Sequence, residues 1–438
     1  MSEDAQLDFD VAVVGAGIAG SVAATLLARA GHSVVLVERG ETPGSKNLSG
    51  GVLYGRVLEP VFPHWASEAP VERVVTRNVI SFLTETGAVS VDTNDPTLGS
   101  PVNAVTVLRA HFDPWLAEQA EEVGAFVMPG VKVDRLLTQP EADGSVRVVG
   151  VHAGDDELRT RVVVAADGVN SFLAQQAGIR HTPATHQRAV GVKATVALDA
   201  RTIEERFGVA SGYGAAHSLV GACTDGVGGG GFVYTNKESV SVGLVLRLDD
   251  LVKQGKDAVG LFEQFLKHPA VAPLLEGGEI IEYGSHLVNE GGQGMVGTIH
   301  SGGLVVVGDA AGLTLNTGLT IRGMDLAAGS AIAAAAAVHQ ALENDDTSAR
   351  GLAAYPQLLK DSFVGRDTHL YAGMPAFMER PRMYADYGPL LADVLHRVYD
   401  LDATPRSHLV KTAVQALKAS PVKLRDLASD AVAGARAL

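Results

Sequence analysis

The stretch 10–38, DVAVVGAGIAGSVAATLLARAGHSVVLVE, decides how the rest of the chain is read. Val11 to Val14 are a run of β-formers. Gly15, Gly17 and Gly20 follow in G-x-G-x-x-G spacing, and Ser21 to Ala30 is a helix-like segment rich in Ala and Leu. Gly31-His32 closes it, and Ser33 to Val37 reads as a second strand that ends in Glu38. Strand, glycine turn, helix and strand with a terminal acid form the βαβ unit that binds a dinucleotide. Gly15 permits the tight turn off the strand, Gly17 lets a diphosphate reach the backbone, and Gly20 lets helix and sheet pack closely. The free N–H groups at the helix start favour the phosphates. Glu38, 23 positions after Gly15, is placed to accept from ribose hydroxyls. Ala16, Ala19 and Arg39 complete the candidate contacts of this unit. The competing reading is a glycine-rich turn in an ordinary α/β protein with a surface glutamate.

At 438 residues the chain is long enough for two or three domains. A net charge of −15 argues against nucleic acid as a partner. Cys223 is the single cysteine, which excludes an internal disulfide and a cysteine-ligated cluster or structural zinc built by this chain alone. The acidic start, MSEDAQLDFD, predicts no signal peptide, and the longest apolar run, Leu326 to Val338, is too short for a membrane span. A cytoplasmic location fits. Charge is uneven: residues 351–438 hold 11 Lys and Arg against 9 Asp and Glu, whereas the first 350 hold 24 against 41. A mildly basic C-terminal region can face an acidic partner or an anionic membrane, or be an ordinary solvated helical surface.

After Glu38 the segment 44–54, GSKNLSGGVLY, is too rich in Gly and Ser for a helix and predicts a loop at the mouth of the nucleotide site. There the N–H groups of Gly50 and Gly51 can approach a flavin ring, and Lys46 can place a cation near it or simply be solvated. Short β-like runs occur at Val79–Leu83 and Ala88–Val91. Val105–Leu108 predicts a strand, and Asp113-Pro114 signals a helix start, with the helix over Trp115 to Val123. Arg109, just before it, is placed to reach a cofactor phosphate or ring edge. Further strands are expected at Ala125–Val127 and Val131–Leu137, with Val133 a candidate cofactor contact. Ser145–Ala153, bounded by Asp143-Gly144, predicts a small sheet.

Two more buried-type strands end in acids. Arg161–Ala165 runs into Ala166-Asp167-Gly168, and Leu304–Val307 into Gly308-Asp309. In such sheets ligands bind beyond the carboxyl ends of the strands. Asp167 can cap the next helix or contact a cofactor, and Asp309 suits ribityl hydroxyls. The N–H groups from Gly318 through Thr320 to Ile321 can meet the pyrimidine edge of a flavin, helped by the dipole of the Ala-rich helix that follows. Arg322 adds to this if it points inward. Residues 176–290 read as a separate β-rich region and 351–438 as mostly helical.

One G-x-G-x-x-G suits FAD or NAD. Three strand ends spread over the first 310 residues suggest one discontinuous domain around an extended FAD. VAVVGAGIAG, VLRAHFDPWL, VVVAADGVNS and LVVVGDAAG make the chain similar to the two-domain flavoproteins that include aromatic hydroxylases, geranylgeranyl reductases and electron transfer flavoprotein:quinone oxidoreductases. GSKNLSGGVLY at 44–54, GDAAGLTLNTGLTIRGMDLAAGSA at 308–331 and SFVGRDTHLYAGMPAF at 362–377 resemble the FixC group of the last. The resemblance covers about 8–385, and the last ~50 residues add little to it.

The resemblance implies an α/β fold: a discontinuous FAD-binding Rossmann-like domain of the glutathione reductase type (1–175 and 291–345), an inserted β-rich substrate or quinone domain (176–290) and a helical C-terminal region (346–438). It implies electron transfer from electron transfer flavoprotein subunits to a membrane quinone through FAD, and peripheral attachment to the inner face of the cell membrane. Longer members carry a four-cysteine cluster. With Cys223 alone this chain cannot, which suits the shorter members that work with a separate ferredoxin-like iron–sulfur subunit. The flavin is then the chemical agent, Lys46 and Arg322 are candidates for tuning it, and no acid–base residue of the hydrolytic kind is expected. The alternatives are a reductase of isoprenoid double bonds, an NAD(P)H-dependent monooxygenase and a non-catalytic FAD-binding subunit. Trp65 and Trp115 stand alone, so the tryptophan motif of flavin halogenases is absent.

Overall fold

A computed structural model of the chain describes residues 7–47, 50–141 and 144–438. Leu48, Ser49 and Asp143, which the sequence puts in loops, lie outside the described residues. The strand Phe9–Val14 is buried on both sides along Val11–Val14, as its unbroken apolar run requires. It pairs in parallel with Val34–Val37 on one side and Asp156–Ala165 on the other. Leu304–Val306 adds to Asp156–Ala165, and Phe126–Met128 to Val34–Val37, again in parallel. This parallel sheet therefore collects strands from three separate parts of the chain. At its outer end Asp156–Arg159 turns antiparallel against Val146–Ala153, which pairs with Arg135–Pro140.

The helices Ile18–Arg29 and Met324–Glu343 cover one face. Both are rich in alanine, so their axes can approach closely. Gly308 lies where they converge: a Cβ there would stand 3.0 Å from the Ala19 Cβ and 3.3 Å from the Ala327 Cβ. At the glycine turn the geometry is tighter. Gly15 has φ +104°, and a Cβ would sit 2.4 Å from the Ala166 carbonyl oxygen. A Cβ on Gly20 would meet the Gly15 carbonyl oxygen at 1.8 Å. Only glycine fits at either position.

The second sheet has nine strands among the described residues. Glu279–Asn289, Arg188–Ala197, Ser239–Arg247, Gly229–Thr235 and Tyr213–Gly221 follow one another antiparallel. Val71–Leu83 then pairs in parallel with Tyr213–Gly221, and carries Ala88–Asn94 and Ala104–Val107, with Gly51–Tyr54 beyond. The sheet is thus not confined to residues 176–290. Segment 51–107 belongs to it, because Val71–Leu83 pairs with its sequence neighbours and also with Tyr213–Gly221, some 140 positions downstream. A second core lies under this sheet, against the helices Ala200–Phe207 and Ala258–Leu266.

The helix expected to begin at Trp115 begins at Arg109 and runs to Glu122, with Pro114 inside it. Asp113 does not cap it. Its fully buried carboxylate is the partner of Arg109, one turn back. The chain ends in helices, the last two being Leu409–Ala419 and Leu424–Ala437. Asp430 in the last helix accepts from Arg380, Arg382 and Tyr387, which fastens that helix to the preceding ones. No helix of the described residues is long and apolar enough to cross a membrane.

Candidate cofactor and substrate site

The strand order lays four carboxyl ends side by side. Leu304–Val306 leads to Asp309, Asp156–Ala165 to Asp167, Phe9–Val14 to Gly15, and Val34–Val37 to Glu38. Three strand spacings make a row about 14 Å long, which suits an extended dinucleotide. A cavity of about 750 Å³ runs along the row and continues to the second sheet and the C-terminal helices. Gly15, Gly17, Ala19, Glu38, Arg39, Arg109, Val133, Ala166, Asp167, Gly168 and Asp309 line it. So do Lys46, Gly50, Gly51, Gly318, Ile321 and Arg322.

Ala16, Gly20, Gly308 and Thr320 are absent from the wall and support it instead. The Ala16 N–H donates to Glu38 Oε2 at 2.9 Å, and the Gly40 N–H donates to Oε1 at 2.7 Å. These two bonds fix the direction of the carboxylate and leave further lone pairs for ribose hydroxyls. The Gly308 N–H donates to Ser330 Oγ at 2.9 Å.

Arg109 is held as a fork. Its Nε and Nη2 each lie 2.6 Å from an oxygen of Asp113, which also accepts from Asn47 Nδ2 at 2.9 Å. A Cβ on Gly17 would lie 3.4 Å from Arg109 Nη2, so this oriented cation stands at the diphosphate turn. Asp167 offers a second test of fit. One of its oxygens accepts from the Leu173 N–H at 3.1 Å, a cap on the following helix, while Oδ1 is buried without a partner. A buried carboxylate oxygen on a cavity wall calls for a donor, and a ligand hydroxyl supplies one. Burial raises both Asp167 and Asp309 above the usual carboxylate range, although Arg109 opposes this at Asp309. The residues present therefore fit an extended flavin dinucleotide.

At the flavin end the structure departs from expectation. The Gly318 N–H donates to Asn316 Oδ1 at 2.9 Å, and the N–H groups of Leu319 and Thr320 point to Thr317 Oγ1 at 3.4 and 3.0 Å. Those three amides are occupied within their own turn. The start of Met324–Glu343 is capped only by Gly323, and Gly323 and Met324 line the cavity. Arg322 is neither a free cation nor a surface residue. It bonds Asp325 and Asp367 and lies 6.0 Å from the Tyr54 ring and 5.6 Å from that of Phe363. Its charge is compensated by two carboxylates. Lys46 is exposed at the rim.

Several groups at the far arm had no signal in the sequence. Glu290, Arg247 and Tyr384 share the cavity wall, where Arg247 Nη2 donates to the Met378 carbonyl at 3.2 Å. Burial raises Glu290 above its ordinary range and pushes Tyr384 up to about 12. Tyr234 on the second sheet is likewise raised by burial. Behind Gly50 the buried Lys193 donates to the Gly50 carbonyl at 3.0 Å, and burial pushes it down to about 7, against the pull of Glu282.

A glycine turn with a fixed acid, a caged arginine and a cavity shared by two sheets define a FAD-dependent oxidoreductase. The FAD binding domain family model matches residues 8–222. The model "ETF-QO, ubiquinone-binding" matches 207–288, and "ETF-QO/FixC family C-terminal domain" matches 374–438. The chain is 45% identical over its whole length, and the whole of the relative, to a probable electron transfer flavoprotein-quinone oxidoreductase of Escherichia coli strain K12. It is 42% identical to the FixC protein of Salmonella typhi over 92% of each chain. The chain belongs to the electron transfer flavoprotein:quinone oxidoreductase/FixC family, and its cofactor is FAD. The match to 374–438 corrects the expectation that the last ~50 residues carry little of the resemblance. Among solved structures it resembles a geranylgeranyl bacteriochlorophyll reductase-like protein of Thermoplasma acidophilum, with TM-score 0.70 and 21% identity over 96% of this chain and 99% of that one. That likeness concerns the fold.

Proposed function

We propose that the protein passes electrons from an electron transfer flavoprotein to a membrane quinone, together with a separate ferredoxin-like subunit. One observation carries the reading. The cavity along the nucleotide row is continuous with Ser218, Phe232 and Tyr234 of the segment that matches the ubiquinone-binding model. A quinone in that arm and a flavin at the strand ends would share one water-poor space.

FAD supplies a group that accepts two electrons and releases them singly. The chain's own residues bind and orient. Gly15, Gly17 and the start of the Ile18–Arg29 helix take the diphosphate, with Arg109 beside it. Glu38 takes the adenosine ribose, and Asp167 and Asp309 take hydroxyls between the two ends. Gly50, Gly51 and the Gly323 end of the long helix face the flavin ring, with Lys46 at the rim. Arg322 acts on the ring as a compensated ion pair, so its effect is one of shape and dipole more than of net charge.

Quinone reduction consumes two protons. Glu290, whose proton affinity burial raises, stands with Arg247 and Tyr384 on the wall of the quinone arm. We assign Glu290 the delivery of a proton to the quinone oxygen. The exposed Tyr399, Leu409, Val410 and Leu424 on the C-terminal helices, with Leu401 in the connection between two of them, suit contact with a membrane surface. The lone, buried Cys223 leaves any iron–sulfur centre to another chain.

The test uses FAD-loaded protein, a soluble quinone and a chemically reduced electron transfer flavoprotein. Quinone reduction that depends on all three components is expected. Reduction of the bound flavin with no transfer to any quinone overturns the reading.

A further inference from the structure

At the end of the cofactor domain away from the cavity, two histidines and a glutamate converge from distant parts of the chain. His32 follows the dinucleotide-binding helix, just past Gly31 with φ +90°. His339 and Glu343 lie one turn apart in the last turns of Met324–Glu343. His32 Nε2 is 2.9 Å from His339 Nδ1, with the ring centroids 5.1 Å apart and the planes tilted by 56°. One atom from each of the three side chains falls within 4.8 Å of the others. The histidines are half-buried and Glu343 is exposed.

We propose that His32, His339 and Glu343 form a binding site for a zinc ion. Two imidazole nitrogens and one carboxylate oxygen are a common three-ligand set for zinc, and the exposed side leaves a fourth position for water. Two imidazoles disfavour magnesium and calcium, which take oxygen ligands. At zinc–nitrogen distances near 2.1 Å a tetrahedral pair of nitrogens stands about 3.4 Å apart, so the rings need to part by only about half an ångström. The metal takes the place of the hydrogen bond between the two nitrogens.

The surroundings favour a cation. The site sits at the carboxyl end of a 20-residue helix, where the dipole is negative. Besides His339, the charged groups that face His32 are Asp10, Glu343 and Arg161. Arg161 is itself paired with Asp345. A bound zinc would tie the turn that leads into the Glu38 strand to the end of the helix whose start faces the flavin. It is a structural clamp, distinct from the electron path.

The test uses the full FAD-loaded chain, stripped with chelator and titrated calorimetrically with zinc chloride near neutral pH. One zinc per chain is expected, with a rise in Tm on addition of zinc. His339→Ala and Glu343→Gln should each weaken binding about tenfold or more, with flavin content unchanged. Glu343 is exposed in the final turn of its helix, so its replacement leaves folding intact. No heat up to millimolar zinc overturns the proposal. So does binding that all variants retain, or binding that the histidine variant loses and Glu343→Gln does not.

Discussion

The two arms of the cavity are built by different means. At the nucleotide arm the backbone does most of the recognition. Strand ends, glycines and helix amides are aligned there by parallel pairing, and the few side chains that matter are clamped by short bonds, as Arg109 is by Asp113 and Glu38 by the Ala16 and Gly40 amides. At the arm proposed to take quinone the wall is made of side chains. Arg247 and Tyr234 come from two strands, Glu290 from the loop just past a third and Tyr384 from a C-terminal helix, and no backbone pattern announces them. A site made of backbone tolerates few changes of shape and many of chemistry. A site made of side chains does the reverse.

Gly15→Val is the strongest way to test the first half of that contrast. The new side chain would start 2.4 Å from a carbonyl oxygen at a positive φ, so purified protein should contain no FAD, read from its absorbance, and little folded material should be recovered. Arg109→Ala comes next. It leaves the fully buried Asp113 without its cation, and unfolding by urea should show a loss of about 3–5 kcal/mol. A loss below about 1 kcal/mol, the value of an exposed pair, would mean that the clamp is ornamental.

Glu290→Gln probes the other arm. FAD content and stability should be retained while quinone reduction falls about tenfold or more, with the alkaline limb of its pH profile removed. Equal rates in both proteins would take the proton role away from Glu290.

The smallest step per measured point is a pH dependence at Lys193, which stands behind Gly50. Lys193 has a folded pKa near 7, below its unfolded value. Between about 7 and 10.4 the unfolded chain holds the extra proton, so stability should rise with pH through that window, by up to about 1.4 kcal/mol per unit. Thermal unfolding of Lys193→Met should lack this rise.

The sequence makes the nucleotide arm readable because its determinants are local. Gly15, Gly17, Gly20 and Glu38 fall within one βαβ unit, and the apolar runs before Asp167 and Asp309 mark strand ends by themselves. The start of the Arg109 helix was misplaced because Asp-Pro resembles a helix entrance, whereas Asp113 is drawn inward by its arginine. The pairing of Val71–Leu83 with Tyr213–Gly221 left no trace, since register between strands so far apart is set by three-dimensional packing. Arg322 shows the intermediate case. Asp325 stands only three residues away, in the first turn of the helix that follows Arg322, whereas Asp367 comes from a helix some 45 positions downstream and leaves no local signal.

The row of strand ends also has a history in time. Asp156–Ala165 is synthesised some 150 residues after its neighbour Phe9–Val14, and Leu304–Val306 some 290 residues after it. At translation rates of about 5–20 residues per second, roughly 15–60 s separate the first strand from the last. Until then the edge that carries Asp309 does not exist, and the nascent chain offers only the adenosine end of its cofactor site. Cofactor loading should therefore be one of the last events in the birth of this protein, and free FAD should rescue yield when supplied after synthesis as well as during it.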